Sequence, residues 1–133
     1  MTKLNAAKAS QLLNRAMGRA EELSINVCIA LVDQGAHLVS FYRMDGAFTG
    51  SIDVAMGKAR TSALFPLSTA DFGDLVRQQQ LTGIELTNQG LVAFPGGLPI
   101  YSGDQLIGAI GISGGSANED ADIANFALAE GDY

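Results

Sequence analysis

The chain has 133 residues, 47% of them hydrophobic and 17% charged, and its 8 Lys plus Arg against 14 Asp plus Glu leave a net charge of −6. That length holds one domain with a real core and is short for two, so residues 1–133 are read as a single domain, and the composition excludes a disordered chain. The acidic balance argues against a broad footprint for nucleic acid or an anionic membrane, and so apolar a small domain is expected to bury surface against copies of itself.

Residues 4–23 predict an amphipathic helix, with Leu4, Leu12, Leu13, Ala16, Met17, Ala20 and Leu23 near one face and Thr2 or Asn5 as its cap. The apolar run 27–32 is rich in β-branched residues and predicts a buried strand. Asp33-Gln34-Gly35-Ala36 supplies a turn, and residues 37–42 return as a second strand. After a loop at 43–47, a helix is expected over about 52–65, capped by Thr49 or Ser51 and ended by Pro66. Thr69 suits the cap of a short helix over 71–79. Residues 80–93 carry the weakest pattern, with a short strand expected at 91–94 and Pro95 at a sheet edge. Strands at 98–101 and 105–113 flank the turn Ser102-Gly103-Asp104. A last helix follows over 118–130, with Asp120 and Asp122 in its first turn. Hairpin-linked strands with helices between them imply an antiparallel sheet covered by helices, an α+β domain.

Chemistry-bearing residues are few. The one cysteine, Cys28, lies in an apolar run and reads as inert core, and no Cys/His spacing suggests a metal site. The first ten residues lack the apolar core of a signal peptide, and no apolar run nears the roughly 20 residues that span a bilayer. The expectation is a cytoplasmic protein without membrane or nucleic-acid partners. His37 is the single histidine and the obvious haem or metal ligand, yet its place in a hairpin turn favours a surface or interface role. Met44 and Met56 are thioether candidates on apolar positions. Lys58 sits in an Ala/Gly-rich helix face whose neighbours are too small to cover it, where an ammonium can meet a carboxylate as a point charge. Arg43 and Asp45 frame the loop before that helix. They either pair with each other, or Arg43 grips an anion through its planar fork while Asp45 orients Lys58. Gly96-Gly97 and Gly114-Gly115 either present backbone N–H groups to an anion or serve turns and close packing. No Ser-His-Asp set can be assembled, and no catalytic residue is assigned.

Five motifs occur in order: Val32-Asp33-Gln34-Gly35-Ala36-His37-Leu38, Arg43-Met44-Asp45-Gly46-Ala47, Ala55-Met56-Gly57-Lys58-Ala59, Pro95-Gly96-Gly97-Leu98-Pro99-Ile100, and the stretch 107–115 followed by Asp120. Together they resemble the GlcG/HbpS family of HbpS-like domains, which takes in the PduO C-terminal domain, over almost the whole chain. The resemblance implies a profilin-like or PAS-like five-stranded antiparallel sheet flanked by helices, and homo-oligomers from dimer to octamer. It also implies a small-molecule ligand, with haem or a related tetrapyrrole as the leading cofactor. Arg43, Asp45, Lys58, Gly96 and Gly97 are the candidate ligand-binding residues. Two other readings stand beside this one. The chain is an enzyme on a small carboxylate or aldehyde, with Lys58 supplying a proton or charge and Asp45 or Asp120 a base. Or it is a structural oligomer or accessory protein of a catabolic enzyme.

Overall fold

The structure is a computed structural model that describes residues 3–129. Its elements are α1 (Ala6–Glu22), β1 (Cys28–Asp33), β2 (Leu38–Arg43), α2 (Ser51–Leu64), α3 (Thr69–Gln78), a 3-10 turn (Ile84–Leu86), β3 (Gly97–Ser102), β4 (Gln105–Ser113) and α4 (Ala117–Leu128). The strands form one antiparallel sheet in the order β2-β1-β4-β3. The architecture is α+β, as expected. Thr2 and Glu130, the expected cap and helix end, lie outside the described residues.

β1 reads as an unbroken apolar run because both faces of the sheet are covered. Ile29 and Leu31 point into a layer of large aliphatics with Leu12, Ile110, Ile112 and Ile123, beneath α1 and α4. Cys28, Ala30 and Val32 face the opposite layer, where Ala55, Ala59 and Ala63 of α2 meet Ala109. This second layer is thin because its residues are small. At Gly111 an added Cβ would fall onto the Ala55 carbonyl oxygen and within 2.6 Å of Ala59 N. Helix α2 thus lies backbone-close on β4, which no larger residue at 111 permits.

The sheet has four strands, not the expected five. Residues 91–94 do not pair with it, and two of their donors are taken elsewhere: Leu91 N donates to Glu85 O at 2.9 Å and Val92 N to Thr61 Oγ1 at 2.9 Å. Pro95, which has no N–H, ends the segment. Leu91 instead packs with Phe72 and Val76 in a satellite cluster under α3.

The caps follow side-chain chemistry. Asn5 Oδ1 accepts from Lys8 N at 2.9 Å, as expected. Ser68, not Thr69, caps α3, and the Thr69 hydroxyl instead accepts from Gly97 N at 2.8 Å. Neither Thr49 nor Ser51 caps α2, which starts from Gly50 without a side-chain cap. At α4, Ser116 Oγ accepts from Glu119 N at 3.2 Å and Glu119 Oε1 accepts from Ser116 N at 2.8 Å, a reciprocal capping box. Ser116→Ala is expected to cost about 1 kcal/mol, read as a lowered denaturant midpoint at unchanged slope.

Candidate functional site

Lys58 leaves α2 on the face that touches the sheet, and it is only 1% exposed. Its Nζ donates to Ile112 O at 2.7 Å and to Asp120 Oδ2 at 3.0 Å. The remaining side of the ammonium lies 5.1 Å from the centre of the Phe94 ring, within cation–π reach. Asp120 is 3% exposed in the first turn of α4, and its Oδ1 accepts from Gly115 N at 2.9 Å. Burial pushes the Lys58 amine down and the Asp120 carboxyl up, each opposed by the attraction of the other. Gly96, at φ 132, makes room for this pair, since a Cβ there would stand 2.5 Å from Lys58 Nζ. One salt bridge therefore ties α2, the end of β4, the entry to β3 and the start of α4.

The five expected ligand residues fall into two groups. Lys58, Gly96 and Gly97 meet in the buried knot. Arg43 and Asp45 are exposed at the other edge, where Arg43 is the register partner of Cys28. Three strand spacings of about 4.8 Å separate β2 from β3, so Arg43 stands roughly 14 Å from Gly97. Among the described residues no ion pair joins Arg43 to Asp45, and the carboxylate that orients Lys58 is Asp120 rather than Asp45. The backbone donors of the glycine pairs are also engaged: Gly97 N by Thr69, and Gly115 N by Asp120. Sequence reasoning placed Asp120 as a dipole partner of α4 or a general base. The uncovered lysine signals a need for a counter-charge, but its partner, 62 residues away, carries no local signal of the pairing.

His37 stands at the hairpin between β1 and β2 with its side chain 81% exposed. Asp33 Oδ1 accepts from Gly35 N at 2.9 Å and His37 N at 3.0 Å, and lies 3.2 Å from His37 Nδ1. Desolvation presses the Asp33 carboxyl upward, but the His37 and Gly35 N–H groups and the imidazole outweigh it and hold it below the usual carboxylate range. With Nδ1 facing this carboxylate, Nε2 points away from the turn. The imidazole edges a cleft of about 250 Å³ lined also by Lys3, Leu4, Gln34 and Ile107. Met44 is a core residue whose sulfur accepts from Val27 N at 3.5 Å. Met56 is half-buried and lines a separate cleft. Burial raises the Cys28 thiol, with Arg43 pulling the other way, so the cysteine is not an activated thiolate. Among the described residues, no group of three or more His, Cys, Asp or Glu is placed to hold a metal ion, and no helix is long and apolar enough to cross a membrane.

Residues 4–129 match a family model described as haem degrading protein HbpS-like. The chain is 35% identical over 127 residues to a 15.0 kDa protein of the dhaT–dhaS intergenic region of Citrobacter freundii, covering 94% of this chain and 89% of that one. It is 36% identical over 121 residues to the corrinoid adenosyltransferase PduO of Salmonella typhimurium, covering 90% of this chain but 36% of that protein. It is also similar to the solved structure of a PduOC–haem complex, with a TM-score of 0.91, 35% identity, and coverage of 96% of this chain and 94% of the other.

Proposed function

We propose that this chain, which belongs to the HbpS-like family, is a non-enzymatic binding protein for haem or a related tetrapyrrole that serves small-molecule catabolism. The observation that carries the reading is the Asp33–His37 pair at the lip of an apolar-floored cleft. A carboxylate on Nδ1 sets the tautomer and aims Nε2 outward, the arrangement that imidazole ligands of metals use. The likeness to a haem complex over nearly the whole chain supports it. In this reading His37 would hold the iron and Lys3 would pair with a propionate, beside a cleft whose base is formed by the core residues Leu4 and Ile107. When bound, haem supplies a redox-active iron and a visible chromophore.

The cleft of about 250 Å³ is smaller than the roughly 300–1,000 Å³ that encloses a drug-sized ligand. A tetrapyrrole would therefore need walls beyond this cleft, which fits the expected homo-oligomer, from dimer to octamer, of a profilin-like cytoplasmic protein. Arg43 lies about 20 Å along β2 from His37 at 3.4 Å per residue, so its propionate contact, with Asp45 beside it, is to a ligand held by a neighbouring subunit. Lys58, Gly96 and Gly97 support the sheet end from within.

Haemin titration of the purified protein is expected to give a saturable Soret shift at a fixed ratio to subunits. His37→Ala should abolish that shift, and Asp33→Asn should weaken haemin about 10–100-fold, the usual effect of losing the partner of a metal-bound imidazole. A folded protein that gives no stoichiometric shift sinks the reading, and a shift unchanged in His37→Ala removes His37 from it. Native mass spectrometry reports the subunit number and any retained ligand together.

A further inference from the structure

A larger cleft, of about 470 Å³, opens on the solvent side of α2 and is independent of His37. Its walls are Val54, Met56, Leu91 and Val92, with Arg60 at one end and Asp53 at the other. The seven residues from Asp53 to Arg60 place the two charges about 10 Å apart along the helix. The outer wall is a turn with an unusual backbone. Asn88, Gln89 and Gly90 take φ of 52, 60 and 104 in succession. Such strain persists only where surrounding bonds over-determine it. Here Gly90 N donates to Thr87 O at 2.9 Å, Thr87 Oγ1 to Ile84 O at 2.7 Å, and Arg60 to Asn88 O at 3.0 Å. The floor depends on Gly57, where a Cβ would stand 2.8 Å from Val92 Cγ2. The cleft is thus preformed, lined by Val54, Met56, Leu91 and Val92 together with polar groups, and asymmetric in charge.

We propose that this cleft binds an amphipathic monocarboxylate, an acid with an apolar chain about 10 Å long. The Arg60 guanidinium uses one N–H on Asn88 O and keeps the rest of its fork for the carboxylate. The chain lies along Val54, Met56, Leu91 and Val92. Asp53 at the far end repels a second carboxylate, so dicarboxylates are rejected.

Calorimetric titration of the full chain with hexanoate, octanoate, suberate and octylamine tests this. Octanoate is expected to bind saturably, with affinity rising about threefold to fourfold per methylene from hexanoate. Suberate should bind at least tenfold more weakly than octanoate, and any octylamine binding, which pairs with Asp53, should be insensitive to Arg60→Gln. Arg60→Gln, at a position that leaves the core untouched, should weaken octanoate about tenfold or more and leave haemin binding unchanged. His37→Ala should leave octanoate binding unchanged, which separates this site from the haem site. Absence of octanoate binding by the folded protein overturns the proposal. So does suberate binding equal to octanoate, an Arg60→Gln variant that binds octanoate normally, or competition between haemin and octanoate.

Discussion

Lys58→Met alone is expected to lower stability by about 3–5 kcal/mol, whereas Lys58→Met combined with Asp120→Leu should recover most of that loss. The asymmetry follows from burial. Lys58 and Asp120 are 1% and 3% exposed, and each charge has given up water for the other and for Ile112 O and Gly115 N. Removing the ammonium leaves a carboxylate inside the protein with hydrogen bonds only from the backbone of Gly114 and Gly115 and no counter-charge. Removing both leaves apolar groups where desolvated charges had been. The pH dependence separates this account from simple loss of packing. Burial holds the folded Asp120 carboxyl above its unfolded value, so the folded state binds this proton more tightly. Its favourable contribution is complete below the unfolded value and is lost as pH rises through the raised folded value. Without Lys58 to oppose burial, that folded value rises further. The Lys58→Met defect should therefore shrink as pH falls through this window, while the double variant shows no such trend. Urea denaturation of the two single variants and the double, across that range, measures the coupling. A pH-independent defect, or a double variant as unstable as the sum of the singles, would refute the ion-pair account.

This pair also marks where the sequence was legible and where it was not. The elements could be read because hydrophobic period and turn chemistry agree locally: the run 27–32, the Asp33-Gln34-Gly35-Ala36 turn and the hairpin about Gly103 all form, with strand ends within a residue of those expected. That Lys58 is special could be read from its alanine and glycine neighbours. Its partner could not, because Asp120 lies 62 residues away and an acid in a first helical turn already has a local explanation. The missing fifth strand has a similar cause. Residues 91–94 have strand-like composition, but Thr61 and Glu85 take two of their donors, and neither bond has a local signature. The Arg60 cleft was hidden for the same reason. One wall is a stretch of α2 whose pattern gives no sign of a ligand, and the other is a turn in the stretch with the weakest periodicity. The Asp33–His37 pair was legible as a turn. The 3.2 Å approach of Asp33 Oδ1 to His37 Nδ1 is a contact that composition cannot specify.

The same substitution at two glycines is expected to have opposite signs, and the larger effect is at Gly111. Gly111→Ala should cost more than about 3 kcal/mol, beyond the usual 1–3 kcal/mol of overpacking, because the methyl meets backbone rather than a movable side chain. The Ala55 carbonyl oxygen occupies its place and Ala59 N lies 2.6 Å away, so α2 must lift from β4. Gly18→Ala, at an exposed position of α1, meets nothing within 4 Å and should instead stabilise by about 0.5–1 kcal/mol through helix propensity. Lifting α2 also carries Lys58 away from Ile112 O and Asp120, and moves Arg60 and Met56 relative to the 88–92 wall. Gly111→Ala should therefore lose the octanoate site while the β1–β2 hairpin, which holds His37 and does not depend on α2 for its turn bonds, keeps haemin binding in whatever fraction remains folded. Thermal melts with both ligands read the two effects separately. If Gly111→Ala melts within a degree or two of the parent, α2 is not held to the sheet by backbone contact, and the glycine-rich β4 requires another explanation.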